Sequence, residues 1–346
     1  MKNIESKPLP NYSVHPGWLQ LLEKNIRQYD LSYNRYLLSK AHNGGANALL
    51  DVRDVRQILL EMFKESHDPL FAIKASQWVT PLTFDSYTLT LWTAPDVRTL
   101  IEDACKFSIA LGTPLRTFFH ETAYGDIAIW FTNNDKSSEE SQVSYVGVTL
   151  YIATLISIIQ QASDYCVHEM EIHLISWPYS KEVLPLFERY LNCKIILNSP
   201  IRKLCIKRRY LFTPLPTNNP EIYHTNRALL HQHVAQLESS DIVLQIYKVL
   251  DRLPSLANIS SDTIVKEMMT SIRTLNRRLA EVNTSYRGVI EKYKLEKALH
   301  LLSKRNANMS EIAFKLGFSD LSTFSRAFKR WTGSCPSQLR DDKIKN

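Results

Sequence analysis

Residues Met309-Ser-Glu-Ile-Ala-Phe-Lys-Leu-Gly-Phe-Ser-Asp-Leu-Ser-Thr-Phe-Ser-Arg-Ala-Phe-Lys-Arg-Trp-Thr-Gly333 read as two short helices joined by a tight turn. Ser310 suits the N-cap of the first, with Glu311 in its positive first turn; Ile312, Ala313 and Leu316 share the inner face, and Gly317 supplies a left-handed end. Phe318, just past that glycine, is placed to pack back on Ile312 or Ala313. Ser319 or Asp320 caps the second helix, whose stripe Phe324, Ala327, Phe328 and Trp331 follows the i, i+3, i+4, i+7 rule of a half-buried helix. Ser322, Ser325, Arg326 and Lys329 fall on the opposite side. A polar and basic face on a helix held at its N-terminus suits the recognition helix of a helix-turn-helix in a DNA major groove. An ordinary helical hairpin with a solvated charged face is the plainer alternative.

The pattern recurs upstream in weaker form. In Ser261-Asp-Thr-Ile-Val-Lys-Glu-Met-Met-Thr-Ser-Ile-Arg-Thr-Leu-Asn-Arg-Arg-Leu-Ala280, Ile264, Val265 and Met268 line one inner face. Ser271 caps the next helix, and Leu275 and Leu279 anchor it. Arg273, Asn276, Arg277 and Ala280 then project together. Arginine forks onto guanine and asparagine onto adenine, so these residue types suit base readout. Arg278 and Glu281 fall on positions that face away from the presumed groove. Ser285 to Lys304 reads as one connecting helix with Leu295, Ala298, Leu299 and Leu302 buried. At about 1.5 Å per residue it spans roughly 25 to 30 Å, comparable to the ~34 Å between successive major-groove faces on one side of DNA.

The downstream unit closely resembles the second helix-turn-helix of the AraC/XylS family of transcription regulators. The matching positions are Glu311-Ile312-Ala313, Gly317-Phe318, Phe324, Phe328-Lys329 and Gly333, then Pro336 and Arg340. The upstream unit is similar to that family's first helix-turn-helix, above all at Arg273-Thr274-Leu275 and Arg277-Arg278-Leu279. It departs at the turn, where Met269 stands at a position often held by glycine. The region from Trp18 to Tyr210 resembles, more weakly, the N-terminal effector-type domain of the ornithine- and arginine-responsive branch. Its marks are Asp68-Pro-Leu-Phe71, Ser86-Tyr87, Asp96 to Leu111 and Tyr190 to Asn198, followed by Pro200 and Leu204. The resemblance implies a regulator whose two units bind one side of the DNA, often with some bending, the second unit sometimes contributing chiefly backbone contacts.

Charge distribution points the same way. The net charge of +7 divides into 24 Lys/Arg against 25 Asp/Glu over residues 1–250 and 18 against 10 over 251–346. The whole excess lies in the C-terminal part, as expected of a polyanion-binding module on a neutral domain. At 346 residues, 44% hydrophobic and 22% charged, the chain has room for two domains. No stretch reads as a membrane span, because the apolar run Val146 to Ile159 is broken by Thr149, Thr154 and Ser157, and the first residues, Met1-Lys-Asn-Ile-Glu-Ser-Lys-Pro, do not read as the apolar core of a signal peptide. A cytoplasmic protein, at the bacterial nucleoid when bound to DNA, is expected. The odd count of five cysteines without a CxxC pair argues for reduced thiols and against zinc. The pairs His231/His233 and His168/His173 lack a third ligand at metal spacing. No metal or cofactor is expected.

In the N-terminal region, Arg53 to Lys64, Asp96 to Leu111, Val143 to Gln161 and Ser180 to Leu191 read as helices. Tyr87 to Trp92, Pro114 to Thr122, Asp126 to Phe131, Glu169 to Ser176 and Lys194 to Leu197 read as strands. Pro214-Leu-Pro-Thr-Asn-Asn-Pro220 marks a boundary, and Asn226 to Leu250 then reads as one long helical pattern, for packing between domains or dimerisation. The expected fold is an α+β N-terminal domain followed by an all-α C-terminal domain with two helix-turn-helix units joined by a long helix. Its parts are an effector or dimerisation domain over 1–215, a connecting helical segment over 216–250, and a DNA-binding domain over 251–346 with units at about 258–282 and 309–332.

The expected function is a sequence-specific regulator of promoters, an activator, responsive to a small molecule. Base contacts fall to Arg273, Asn276, Arg277, Ser322, Ser325 and Arg326, and phosphate contacts to Thr274, Lys294, Lys329 and Arg330. Tyr87, Trp92, His120, Trp130 and His173 are candidates for an effector pocket, with aromatic core packing as the alternative. Expected partners are double-stranded DNA, RNA polymerase, a small-molecule effector and a second copy of the chain, with no membrane. A ligand-independent regulator, whose N-terminal domain only dimerises or touches a partner, is the alternative. An enzyme such as a DNA-repair alkyl transferase would need a reactive cysteine in a nucleophile motif, and none of the five has that setting.

Overall fold

The computed structural model describes residues 13–31, 49–112, 115–122, 124–131, 143–257, 259–282, 284–302 and 308–337. Pro114, Lys304 and Arg340, which figure in the expectations above, lie outside them. The N-terminal part opens with the two-residue strand β1 (Ser13–Val14), helix α1 (Gly17–Tyr29), β2 (Leu50–Asp51) and α2 (Val52–Ser66). Then come α3 (Phe71–Ser76), α4 (Ser86–Trp92) and α5 (Val97–Lys106), strands β3 (Thr117–Glu121) and β4 (Ile127–Phe131), and the long helix α6 (Tyr145–Ala162). β5 (Met170–His173), α7 (Leu184–Leu191), β6 (Cys193–Ile196) and β7 (Arg202–Ile206) complete a five-stranded sheet of order β3-β4-β7-β5-β6. Only β5 and β6 are parallel, joined through α7, as a parallel pair requires a crossover.

Residues 87–92, expected as a strand, form helix α4 instead. The alternation Tyr-Thr-Leu-Thr-Leu-Trp imitates a half-buried strand, but the threonines satisfy the helix: Thr90 Oγ1 donates to the Ser86 carbonyl at 2.6 Å and Thr93 Oγ1 to that of Leu89 at 2.7 Å. Burial of Tyr87, Thr88, Thr90, Leu91 and Trp92 erases the helical period. Helix α6 is buried nearly all round and, contrary to the reading of its sequence, is long and apolar enough to cross a membrane by length and composition. Its apolar surface is taken up by the core, where 78% of that window is buried.

Beyond the proline-rich boundary the expected single pattern over 226–250 divides at Asp241. Helix α8 (Pro220–Ser240) ends there, and Asp241 Oδ1 accepts from the Val243 and Leu244 amides to start α9 (Ile242–Arg252). The two helices belong to different cores. Tyr223 and Leu230 of α8 join the N-terminal core, and the Tyr223 hydroxyl and Arg227 both bind buried Asp103. Ile242, Ile246 and Leu250 of α9 join the C-terminal core. That core also holds α10 (Ser261–Glu267), α11 (Ile272–Glu281), α12 (Tyr286–Leu302), α13 (Met309–Lys315) and α14 (Leu321–Thr332).

The sheet is covered on both faces. Ile127, Ile129, Phe131, Leu204 and Ile206 point to the N-terminal helices, while Ala128, Trp130 and Ile201 belong to the C-terminal core. An ion pair spans the junction: Arg116 Nη1 lies 3.2 Å from Glu296 Oε2 on α12, and Glu296 is only 3% exposed. The Arg116 guanidinium also lies over the Tyr247 ring at 5.4 Å. Removing the arginine leaves a buried carboxylate short of a partner. Arg116→Ala is therefore expected to destabilise the junction by about 2–3 kcal/mol, read as a lower Tm for the C-terminal part and faster proteolysis near Asp241, with Glu296→Gln milder.

Candidate nucleic-acid interface

The candidate DNA contacts lie on α11, α14 and α12, and the four short helices α10, α11, α13 and α14 each start on a side-chain cap. Ser260 accepts from the Thr263 amide at 3.2 Å, Ser271 from Thr274 at 3.1 Å, Asn308 from Ser310 at 3.0 Å and Asp320 from Thr323 at 2.7 Å. These bonds satisfy amides that the helix leaves unpaired and fix where each helix begins. The cap of α13 is Asn308 rather than the expected Ser310, because Asn308 holds the extended backbone (φ −88°, ψ 118°) and Ser310 already lies inside the helix. The Thr323 amide and the Ser319 and Thr323 hydroxyls hold the Asp320 carboxyl below its usual range.

The two turns solve the same geometric problem differently. Gly317 sits at φ 73°, and an added Cβ there would lie 2.2 Å from the Leu256 carbonyl oxygen. Met269 takes φ 49° without being glycine, and its side chain is 94% exposed. Backbone strain is thus accepted in the upstream turn, where nothing crowds the side chain.

On α11, Leu275 and Leu279 are buried while Arg273, Asn276, Arg277 and Ala280 are exposed. Arg277 Nη1 reaches Glu281 Oε1 at 2.9 Å across one helical turn. Arg278 turns the other way and donates to Gln245 Oε1 at 3.2 Å and the Ser240 carbonyl at 3.3 Å, tying α11 to α9 and to the end of α8. Thr274 is half-buried, its hydroxyl 3.0 Å from that of Ser271. On α14, Phe324, Ala327 and Phe328 are buried; Ser322, Arg326, Lys329 and Arg330 are exposed and Ser325 is half-buried. Arg330 pairs with Glu291 of α12 at 3.0 Å. The Lys294 ammonium lies 4.8 Å from the centre of the Phe318 ring, and desolvation lowers its pKa. Helix α12 has 17 residues, a span of about 25 Å between the two pairs.

The aromatic and histidine candidates separate into two groups. Tyr87 and Trp92 are buried on α4 in the N-terminal core, where the Tyr87 hydroxyl donates to the Ala104 carbonyl at 3.2 Å. They do not meet the others, because α4 is a helix rather than a strand of the sheet. His120, Trp130 and His173 do come together, on the outer sheet face around a cavity of about 250 Å³. The sequence reading missed Lys203, Cys205 and Lys207 at the same cavity, although they alternate with buried Arg202, Leu204 and Ile206 at the strand period.

A family model described as a helix-turn-helix domain matches residues 264–342. The ornithine utilization regulator of Pseudomonas aeruginosa is 41% identical over 76 residues, which are 22% of each chain. The HTH-type transcriptional regulator VqsM of the same organism is 30% identical over 135 residues, covering 37% of this chain and 40% of that one. The chain therefore matches less than half the length of either relative. A crystal structure of the transcriptional regulator CdpR from Pseudomonas aeruginosa aligns over 98% of this chain and 100% of that one at 17% identity, with a TM-score of 0.47. Residues 264–342 thus match a helix-turn-helix domain, and both of these relatives are named as regulators.

Proposed function

We propose that the chain is a sequence-specific transcription regulator that binds promoter DNA through two helix-turn-helix units, α10–α11 and α13–α14, and activates transcription through contact with RNA polymerase. The observation that carries this reading is the pair of capped helices, α11 and α14, each with an anchored apolar stripe and an exposed polar and basic face. In this reading Arg273, Asn276 and Arg277 from the first unit and Ser322, Ser325 and Arg326 from the second meet base edges. Thr274, Lys294, Lys329 and Arg330 meet phosphates and set the register. The N-terminal domain answers to a small molecule, for which His120, Trp130 and His173 are the proposed contacts, or pairs two copies of the chain.

Genome-wide mapping of DNA bound in cells tests the reading: a shared motif upstream of genes whose expression changes on deletion supports it, and scattered binding without a motif opposes it. Lys329 makes a finer test. Its exposed ammonium adds charge without base geometry, so Lys329→Ala is expected to weaken all sequences alike and to reduce the salt slope of log K by about 1. A change of base preference in that variant would assign Lys329 a different role.

A further inference from the structure

Strand register builds the outer-face cavity. Phe118, Trp130, Lys203 and His173 are successive cross-strand partners, as are His120, Ala128, Cys205 and Glu171. The small pair Ala128 and Cys205 therefore forms a dip between taller polar side chains. Two acidic side chains on the rim have neighbours: Lys207 lies 3.3 Å from Asp126, and the His173 ring nitrogen lies 3.6 Å from Glu171. The Lys203 ammonium stands outside both. Trp130 is 4% exposed, and its Nε1 is buried with no hydrogen-bond partner among the described residues; the same holds for Thr122 Oγ1. Both atoms belong to residues lining the cavity. Buried donors without acceptors cost about 1–3 kcal/mol each in a folded chain.

We propose that this cavity binds a small hydrophilic oxyanion, a carboxylate or a phosphate, held by the Lys203 ammonium, the Trp130 indole N–H and the Thr122 hydroxyl. The anion gives the indole the acceptor it lacks and the ammonium a counter-charge, while Asp126 and Glu171 stay engaged by Lys207 and His173. Charged and polar side chains, Asp126, Glu171, Lys203 and Lys207 among them, line the cavity beside Trp130, which favours a charged occupant. Trp130 also packs in the C-terminal core, so the bound anion rests against a side chain that joins sheet and DNA-binding domain. The inference deepens the effector role proposed above and rests on it only for its biological meaning.

The test uses the full-length chain without DNA, so that failure leaves the DNA-binding reading untouched. Potassium succinate, acetate and phosphate are titrated against potassium chloride at matched ionic strength, following Tm and tryptophan fluorescence. At 100 times the dissociation constant, one of the three oxyanions is expected to raise Tm by roughly 5–10 °C; which of them does so separates carboxylate from phosphate. Lys203→Met keeps the aliphatic stem and should raise Kd at least about tenfold, and Trp130→Phe should raise it and lose the fluorescence change. The double variant Arg273→Ala/Arg277→Ala should keep the original Kd, placing the anion in the sheet rather than on the basic domain. No stabilisation beyond chloride, or an unchanged Kd in Lys203→Met, would overturn the proposal. If Trp130→Phe does not fold, Lys203→Met decides alone.

Discussion

Replacing Arg273 and Arg277 together with alanine is expected to cost about 2–6 kcal/mol of specific binding, a loss of roughly 30-fold to 10⁴-fold. The two guanidinium groups are exposed on one face of α11, a helix fixed at one end by the Ser271 cap and along its length by buried Leu275 and Leu279. Among the described residues Arg277 pairs with Glu281, the two side chains 67% and 46% exposed. Such a surface pair contributes about 0–1 kcal/mol and does not keep the arginine from a base. Non-specific binding should fall far less, because the variant keeps the other basic side chains proposed to meet phosphates. Arg278→Ala supplies the contrast. Its guanidinium is spent on Ser240 and Gln245, so that variant should lose stability at the α9–α11 contact and keep its base preference. Competition binding against specific and scrambled duplexes separates the two outcomes.

Gly317→Ala is expected to lower the stability of the C-terminal core by about 3 kcal/mol or more. The left-handed backbone alone costs a side chain about 1–2 kcal/mol. At Gly317 the new Cβ also meets the Leu256 carbonyl oxygen at 2.2 Å and the Ala257 nitrogen at 2.6 Å. Those are backbone atoms, so the turn or the 256–257 segment must move, and overpacking of this kind adds about 1–3 kcal/mol. Gly333 isolates the conformational part. It shares the geometry, φ 79°, but has nothing within 4 Å of an added Cβ. Gly333→Ala should cost only the backbone share, about 1–2 kcal/mol. Equal losses in the two variants, measured by urea denaturation, would show that the Leu256 contact contributes nothing.

The C-terminal helices were legible because their signals are local. The stripe Phe324, Ala327, Phe328 and Trp331, the glycine at 317 and the Ser271 cap each act within a few residues, and the structure places all of them as read. Met269 was legible as an awkward turn, and it is one. Cap identity was less secure. Asn308 and Ser310 are both good capping residues, and only the backbone geometry separates them.

The N-terminal domain hid more, for reasons of burial. Helix α4 is enclosed by other helices, so its buried threonines and aromatics imitate a strand. β7 is not among the expected strands; its neighbourhood 201–207 carries three lysines and arginines, and its two faces serve two different cores. No local signal in the sequence shows that the outer sheet face meets α9 and α12, since the Arg116–Glu296 pair joins residues 180 positions apart. For the candidate site the consequence is uneven. The exposed face of α11 was readable from helical spacing alone, whereas the outer-face cavity depended on strand register and kept only His120, Trp130 and His173 of the five side chains considered.

The central claim is that α11 reads bases. Selection from randomised duplex DNA with the purified full-length chain, run in parallel on the Arg273→Ala/Arg277→Ala variant, tests it most directly. The expected result is a motif of two blocks about one helical turn apart for the unaltered chain, ~10 base pairs centre to centre, and loss of sequence information in one block for the variant. An identical motif from both proteins, or no motif from either, would contradict it.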